Sequence, residues 1–104
     1  MMGTYYLYIL HSEKFDSYYV GSSSNPWQRL QQHNETPKCT YTSKYRPWSL
    51  AAIFQAGHSR SDAIKAEKFV KSQKSRIFIE KLVETDFVPS GNLAQLVRVP
   101  HVRD

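Results

Sequence analysis

The chain has 104 residues, 40% hydrophobic and 22% charged, with 14 Lys and Arg against 9 Asp and Glu. That length allows about one domain with one modest core. Its single cysteine, Cys39, excludes an internal disulfide and a cysteine-only zinc site and favours a cytoplasmic setting. No segment approaches the roughly 20 apolar residues of a membrane span, and residues 1–10 carry no basic flank of the kind that opens a signal peptide. Asp86, Arg98, Arg103 and Asp104 cancel, so the whole net charge of +5 lies before residue 86. A compact basic domain suits a polyanionic partner, nucleic acid ahead of a membrane surface.

Residues 4–11 are rich in Tyr, Leu and Ile and read as a buried strand. Polar residues 13–17 make a turn, and residues 18–22 resume the strand character, which predicts a hairpin. A helix starts next, with Asn25 as its cap and Pro26 at its first position. It is expected to run to about His33, with Trp27 and Leu30 packed inward. Residues 34–46 form a long polar loop containing Pro37, and loops of that length are often functional. Residues 48–55 give a third strand, and Ala56, Gly57 and His58 turn the chain. Ser59 or Ser61 then caps a second helix, in which Ala63, Ile64, Ala66, Phe69 and Val70 recur at helical spacing. A break at 72–75 precedes a short third helix over 76–84, packed through Ile77 and Leu82.

The order β-β-α-β-α-α specifies an α+β domain with a small three-stranded, mainly antiparallel sheet flanked by helices. The domain is expected to span residues 1–85. The tail, residues 86–104, holds two prolines and a glycine without a clear period and is expected to lie outside the core. Its Val97-Arg98-Val99-Pro100 can be encoded by the nucleotides of a transfer-RNA T-loop, so the reading frame is expected to run into an adjacent transfer-RNA gene. Codons unlike a T-loop in the gene itself would overturn that expectation.

Chemistry-bearing residues fall in an ordered series. Tyr6-Leu7-Tyr8 lies on the first strand and Tyr19-Val20-Gly21 on the second. Arg29 and His33 are four residues apart and share a helix face. Glu67 has Ala63, Ile64 and Val70 as helical neighbours, so it points toward the apolar side, where a carboxylate is costly without a partner or a metal ion. Lys68 and Lys71 are near it in sequence but read as lying on other faces. Each element alone has a plainer reading. Tyr8 and Tyr19 suit strand packing, and Arg29 with His33 suits a solvated helix face.

The ordered set resembles the GIY-YIG nuclease family, which includes the incision domain of bacterial nucleotide-excision repair. It looks closest to the small stand-alone bacterial members. The resemblance covers residues 4–83. It implies a metal-dependent endonuclease that hydrolyses phosphodiester bonds, DNA more than RNA, at branched, flapped or damaged sites with little sequence specificity. Glu67 is then the ligand of Mg²⁺ or Mn²⁺, and Arg29 forks onto phosphate oxygens. Tyr8 hydrogen-bonds the water or the phosphate, and either Tyr19 or His33 takes the proton. Tyr41, Lys44 and Arg46 in the long loop, with Lys71, are expected to touch nucleic acid. Two departures stand out: Tyr6 replaces the family's first glycine, and no Asn follows near residues 78–81. The runner-up reading is a non-catalytic nucleic-acid-binding module that keeps the fold. Neither reading calls for a protein partner or a membrane.

Overall fold

Aromatic and branched residues at the start of the chain do form a hairpin, and the rest of the molecule is assembled on it. The computed structural model describes residues 3–37 and 42–100, so Cys39 and Tyr41 lie outside the described residues. Strands β1 (Tyr5–Ser12) and β2 (Ser17–Ser23) pair antiparallel. The turn between them passes through Asp16 at φ 50, a left-handed conformation that Asp tolerates better than most residues. Arg76, far along the chain, ties this turn down by donating to the Asp16 carbonyl at 2.6 Å and pairing with its carboxylate at 2.6 Å.

On its other side β1 pairs antiparallel with β3 (Ser49–Gly57). Ile9 faces Ala52 while Leu10 faces Leu50, which leaves Ala51 as the extra residue of a bulge. A fourth strand, β4 (Val97–Arg98), pairs antiparallel with β3, and the sheet order is β2-β1-β3-β4. The α+β class and the order of the first six elements agree with the sequence reading. The sheet has four strands and not three, because a two-residue strand in a segment without alternation gives no periodic signal.

Central strand β1 is covered on both faces, and its alternation sends different residues to each. Leu7 and Ile9 join Ala52, Phe54, Ala63, Ala66, Val70 and Leu82 in the larger cluster. Tyr8 and Leu10 join Trp48 and Ile53 in the smaller one, with Tyr6, Tyr19 and Leu30 packed against it.

Helix α1 (Pro26–Glu35) covers the smaller cluster. Asn25 caps it by accepting from the Gln28 N–H at 3.0 Å, with Pro26 in the first turn as expected. Trp27 was expected inside and is instead 51% exposed, its ring edge-on to Tyr6 at 5.8 Å. The packed stripe of α1 runs Pro26, Leu30, His33, and Trp27 sits about 100° around the helix from it.

Helices α2 (Arg60–Ser72) and α3 (Arg76–Val83) cover the larger cluster. Ser59 caps α2 and Ser75 caps α3, each through its hydroxyl oxygen. Ala63 and Ala66 let α2 approach the sheet closely, at 0% and 2% exposure. In α3, Leu82 is buried as expected, but Ile77 is exposed, because the packing face is made by Phe78, Ile79, Leu82 and Val83. Among the described residues no helix is long and apolar enough to cross a membrane.

The segment expected to stand outside the core packs onto it. Leu93 and Leu96 are buried in the larger cluster, Phe87 lies against Phe54, and β4 extends the sheet. Arg98 donates to the carbonyls of Leu82 and Val83 at 3.1 and 2.8 Å, closing the C-terminal end of α3. Three-residue spacing of two leucines in a proline-flanked stretch is too short a pattern to betray this packing from sequence.

Candidate active site

Alternation along the hairpin sets Tyr8 directly opposite Gly21. A Cβ at residue 21 would lie 2.5 Å from the Tyr8 hydroxyl oxygen and 2.6 Å from the ring carbon that bears it. No side chain fits there, so the glycine clears the space that the phenol occupies. Tyr8 itself is 1% exposed, and its hydroxyl lies 3.0 Å from Nε2 of His33 on α1. With the imidazole proton on Nδ1, Nε2 accepts from that hydroxyl. Tyr19, two residues before Gly21 and so on the same face, stacks at a tilt on both partners. Its ring centroid is 4.8 Å from His33 and 6.4 Å from Tyr8.

Burial governs the protonation of this pair. It pushes the Tyr8 phenol up to about 12, against the opposing hydrogen bond and charge of Arg29, while Tyr19 and Glu67 add to the rise. The same burial, reinforced by the charges of Arg29 and Arg46, lowers His33 to about 4. At neutral pH the pair is therefore a neutral phenol against a neutral imidazole. Arg29 is held in place by donating to the Gln32 side chain at 2.8 Å.

Glu67 arrives from the other helix layer. Ser22 follows Gly21 on β2 and points to the opposite face, where its hydroxyl donates to Glu67 Oε1 at 2.6 Å. Lys71 Nζ binds Oε2 at 2.6 Å and sits 5.6 Å over the Tyr19 ring. The expectation that Lys71 lies on another face is corrected: four residues is about one helical turn, which stacks the two side chains. The Glu67 side chain keeps 21% exposure. The site thus straddles the edge strand β2, with Tyr8, Tyr19, Arg29 and His33 on one side and Glu67 on the other.

The expected nucleic-acid contacts are dispersed. Arg46 donates Nε to the His33 carbonyl and a terminal nitrogen to the Thr36 carbonyl, both at 2.5 Å, so it closes the end of α1. Lys44 is exposed in the 3-10 turn Thr42–Tyr45, and Tyr41 lies outside the described residues. Sequence reasoning missed Ser22 as the partner of Glu67 and missed Gly21 as a space-maker. Position was the available signal for both, since strand alternation places residues 19 and 21 on one face and 22 on the other. Next to the site lies an open cleft of about 320 Å³, lined by Tyr5, Ser22, Ser23, Ser24, Arg29, Arg60 and Ala63.

Similarity to known proteins bears on the same residues. The structure-specific endonuclease subunit SLX1 of Yarrowia lipolytica is 39% identical over 69 residues, covering 61% of this chain and 24% of that protein. The subunit of the same name from Meyerozyma guilliermondii is 37% identical over 76 residues, covering 68% and 26%. That from Eremothecium gossypii is 38% identical over 84 residues, covering 66% and 28%. The chain spans about a quarter of the length of these relatives. Residues 4–81 match the GIY-YIG catalytic domain. Because that match runs from the first strand into the last helix and takes in every side chain gathered around Tyr8, the chain belongs to the GIY-YIG catalytic-domain family.

Proposed function

We propose that the chain is a metal-dependent endonuclease that hydrolyses phosphodiester bonds in DNA, guided by branched, flapped or damaged structure more than by sequence, in the cytoplasmic compartment. The convergence of Tyr8, Tyr19, Arg29, His33 and Glu67 at one edge of the sheet carries this reading. The name of the relatives, structure-specific endonuclease subunits, supports the kind of substrate.

Among the described residues there is no group of three or more metal-ligating side chains. Mg²⁺ does not need one, since it keeps several waters and takes one or two carboxylates. A carboxylate that keeps some exposure beside an open cleft suits that habit, and Mn²⁺ accepts the same oxygen donors. Glu67 would hold the ion, which supplies positive charge against the developing phosphorane. The remaining work belongs to the chain. Arg29 presents a fork of N–H donors to the phosphate oxygens from the wall of the cleft. His33, neutral and accepting from the Tyr8 hydroxyl, fixes that oxygen in place as an acceptor for the attacking water. Tyr19 is the less buried of the two phenols and takes the proton of the attacking water, with the Lys71 cation beside its ring.

Cleavage of a panel of labelled nicked, flapped and branched DNAs, with RNA counterparts, tests this reading. The native chain is expected to cut with Mg²⁺ or Mn²⁺ and to stop on adding chelator. Glu67→Ala is expected to lose cutting while still binding. Salt-sensitive binding without any cutting by the native chain would replace the enzyme with a binding module, and cutting that survives in the variant would remove Glu67 from the mechanism.

A further inference from the structure

We propose that the cleft between β2 and the start of α2 is a subsite for the nucleotide next to the scissile phosphate, with Arg60 as the residue that grips its phosphate. The proposal rests on the nuclease reading and extends it to a residue outside the five that gather at Tyr8. Two of the cleft's walls are shared with the site. Arg29 both lines the cleft and acts on the Tyr8 hydroxyl, and Ser22 both lines it and donates to Glu67. A chain of nucleotides bound at the site can therefore continue into this space.

The lining suits a nucleotide. At about 320 Å³ the cleft is at the small end of the range for ligand sites. It offers two guanidinium groups, the hydroxyls of Ser23 and Ser24, and the ring of Tyr5, while Ser22 gives its proton to Glu67. No acidic side chain lines it, and its two guanidinium groups favour an anion. Hydroxyls and guanidinium forks are the usual donors to phosphate oxygens, and an aromatic ring offers a face to sugar or base.

Arg60 is the distinctive member. Arg46, Arg76 and Arg98 all spend donors on the protein itself, closing helices or pairing with acids. Arg60 is exposed on the first turn of α2 and makes no hydrogen bond or ion pair among the described residues. A long cation at the rim of a polar cleft, with none of its donors engaged, has its full hydrogen-bonding capacity left for a ligand.

Binding and cleavage of a flapped DNA by the native chain, Arg60→Ala and Arg60→Lys provide the test, with thermal unfolding to show that all three fold alike. Arg60→Ala is expected to weaken binding about tenfold at low salt and to lower the slope of log affinity against log salt by about one. KM should rise more than kcat falls, because the contact lies beside the reacting phosphate and not on it. Arg60→Lys should restore the salt slope but not the full affinity, since an ammonium cannot fork. An unchanged affinity and slope in Arg60→Ala, with the native chain cutting, would overturn the subsite and leave the nuclease. A native chain that neither binds nor cuts would overturn both.

Discussion

The two faces of the sheet are built from the same strands and differ in nearly everything else. Toward α2 and α3 the packing is apolar throughout, with alanines, Leu7, Ile9, Phe54, Val70 and Leu82 excluding water. Toward α1 it is aromatic and polar-tipped, with Tyr8, Tyr19, Trp48 and His33 in tilted ring contact. Wholly apolar groups supply burial without direction, whereas phenols and imidazole supply burial with a directed hydrogen bond at the end. One residue of register separates Leu7 from Tyr8, so stability and chemistry alternate along a single strand. Glu67 is the exception, a carboxylate on the apolar layer, held at the edge strand β2 by Ser22.

That contrast predicts a separation of effects. Tyr19→Phe is expected to cost about 10²- to 10⁴-fold in kcat, the usual share of a proton acceptor, with unfolding free energy almost unchanged. Single-turnover cleavage and urea unfolding on the same preparation check both halves. Leu7→Ala should do the reverse, losing about 2–5 kcal/mol of stability while kcat per folded molecule stays at the native value. Equal effects of the two variants on kcat would end the division between faces.

His33 connects the faces to pH. Its pKa is about 4 in the fold against 6.5 as its ordinary value, so the unfolded chain binds more protons between those limits. Stability from this group is complete above pH 6.5 and drains as pH falls toward 4, by up to roughly 3 kcal/mol. Unfolding midpoints measured across that window should fall on acidification, and His33→Gln should flatten the trend. The smallest effect belongs to Lys71→Ala, under about 1 kcal/mol, because the pair with Glu67 is largely open to water on the lysine side. It should also lower the Mg²⁺ concentration for half-maximal cutting, by freeing a carboxylate oxygen.

Local signals carried most of what the sequence revealed. Asn25 with Pro26 and Ser59 before α2 mark helix starts through bonds made within three residues, and such bonds are written in adjacent letters. What stayed hidden depends on distant partners. Trp27 and Ile77 are large and apolar, yet each falls beside the packing stripe of its helix, whose direction the neighbouring elements decide. Arg46 reads as a loop cation until the end of α1 lies within its reach. The tail shows no period, and its leucines become core only because α3 and β3 leave a gap for them. At the site, the ordered tyrosines, Arg29, His33 and Glu67 were visible as a series. The bond from Ser22 to Glu67 spans 45 residues and was not.

Gly21 carries a consequence for how this protein tolerates change. The space it vacates is filled by a group on the neighbouring strand, so the two positions share one volume. In a screen of all single substitutions, residue 21 should be depleted when scored by abundance and nearly forbidden when scored by cleavage. A larger residue there regains abundance only in company with a smaller one at position 8, and never regains cleavage, since the smaller partner has lost the hydroxyl.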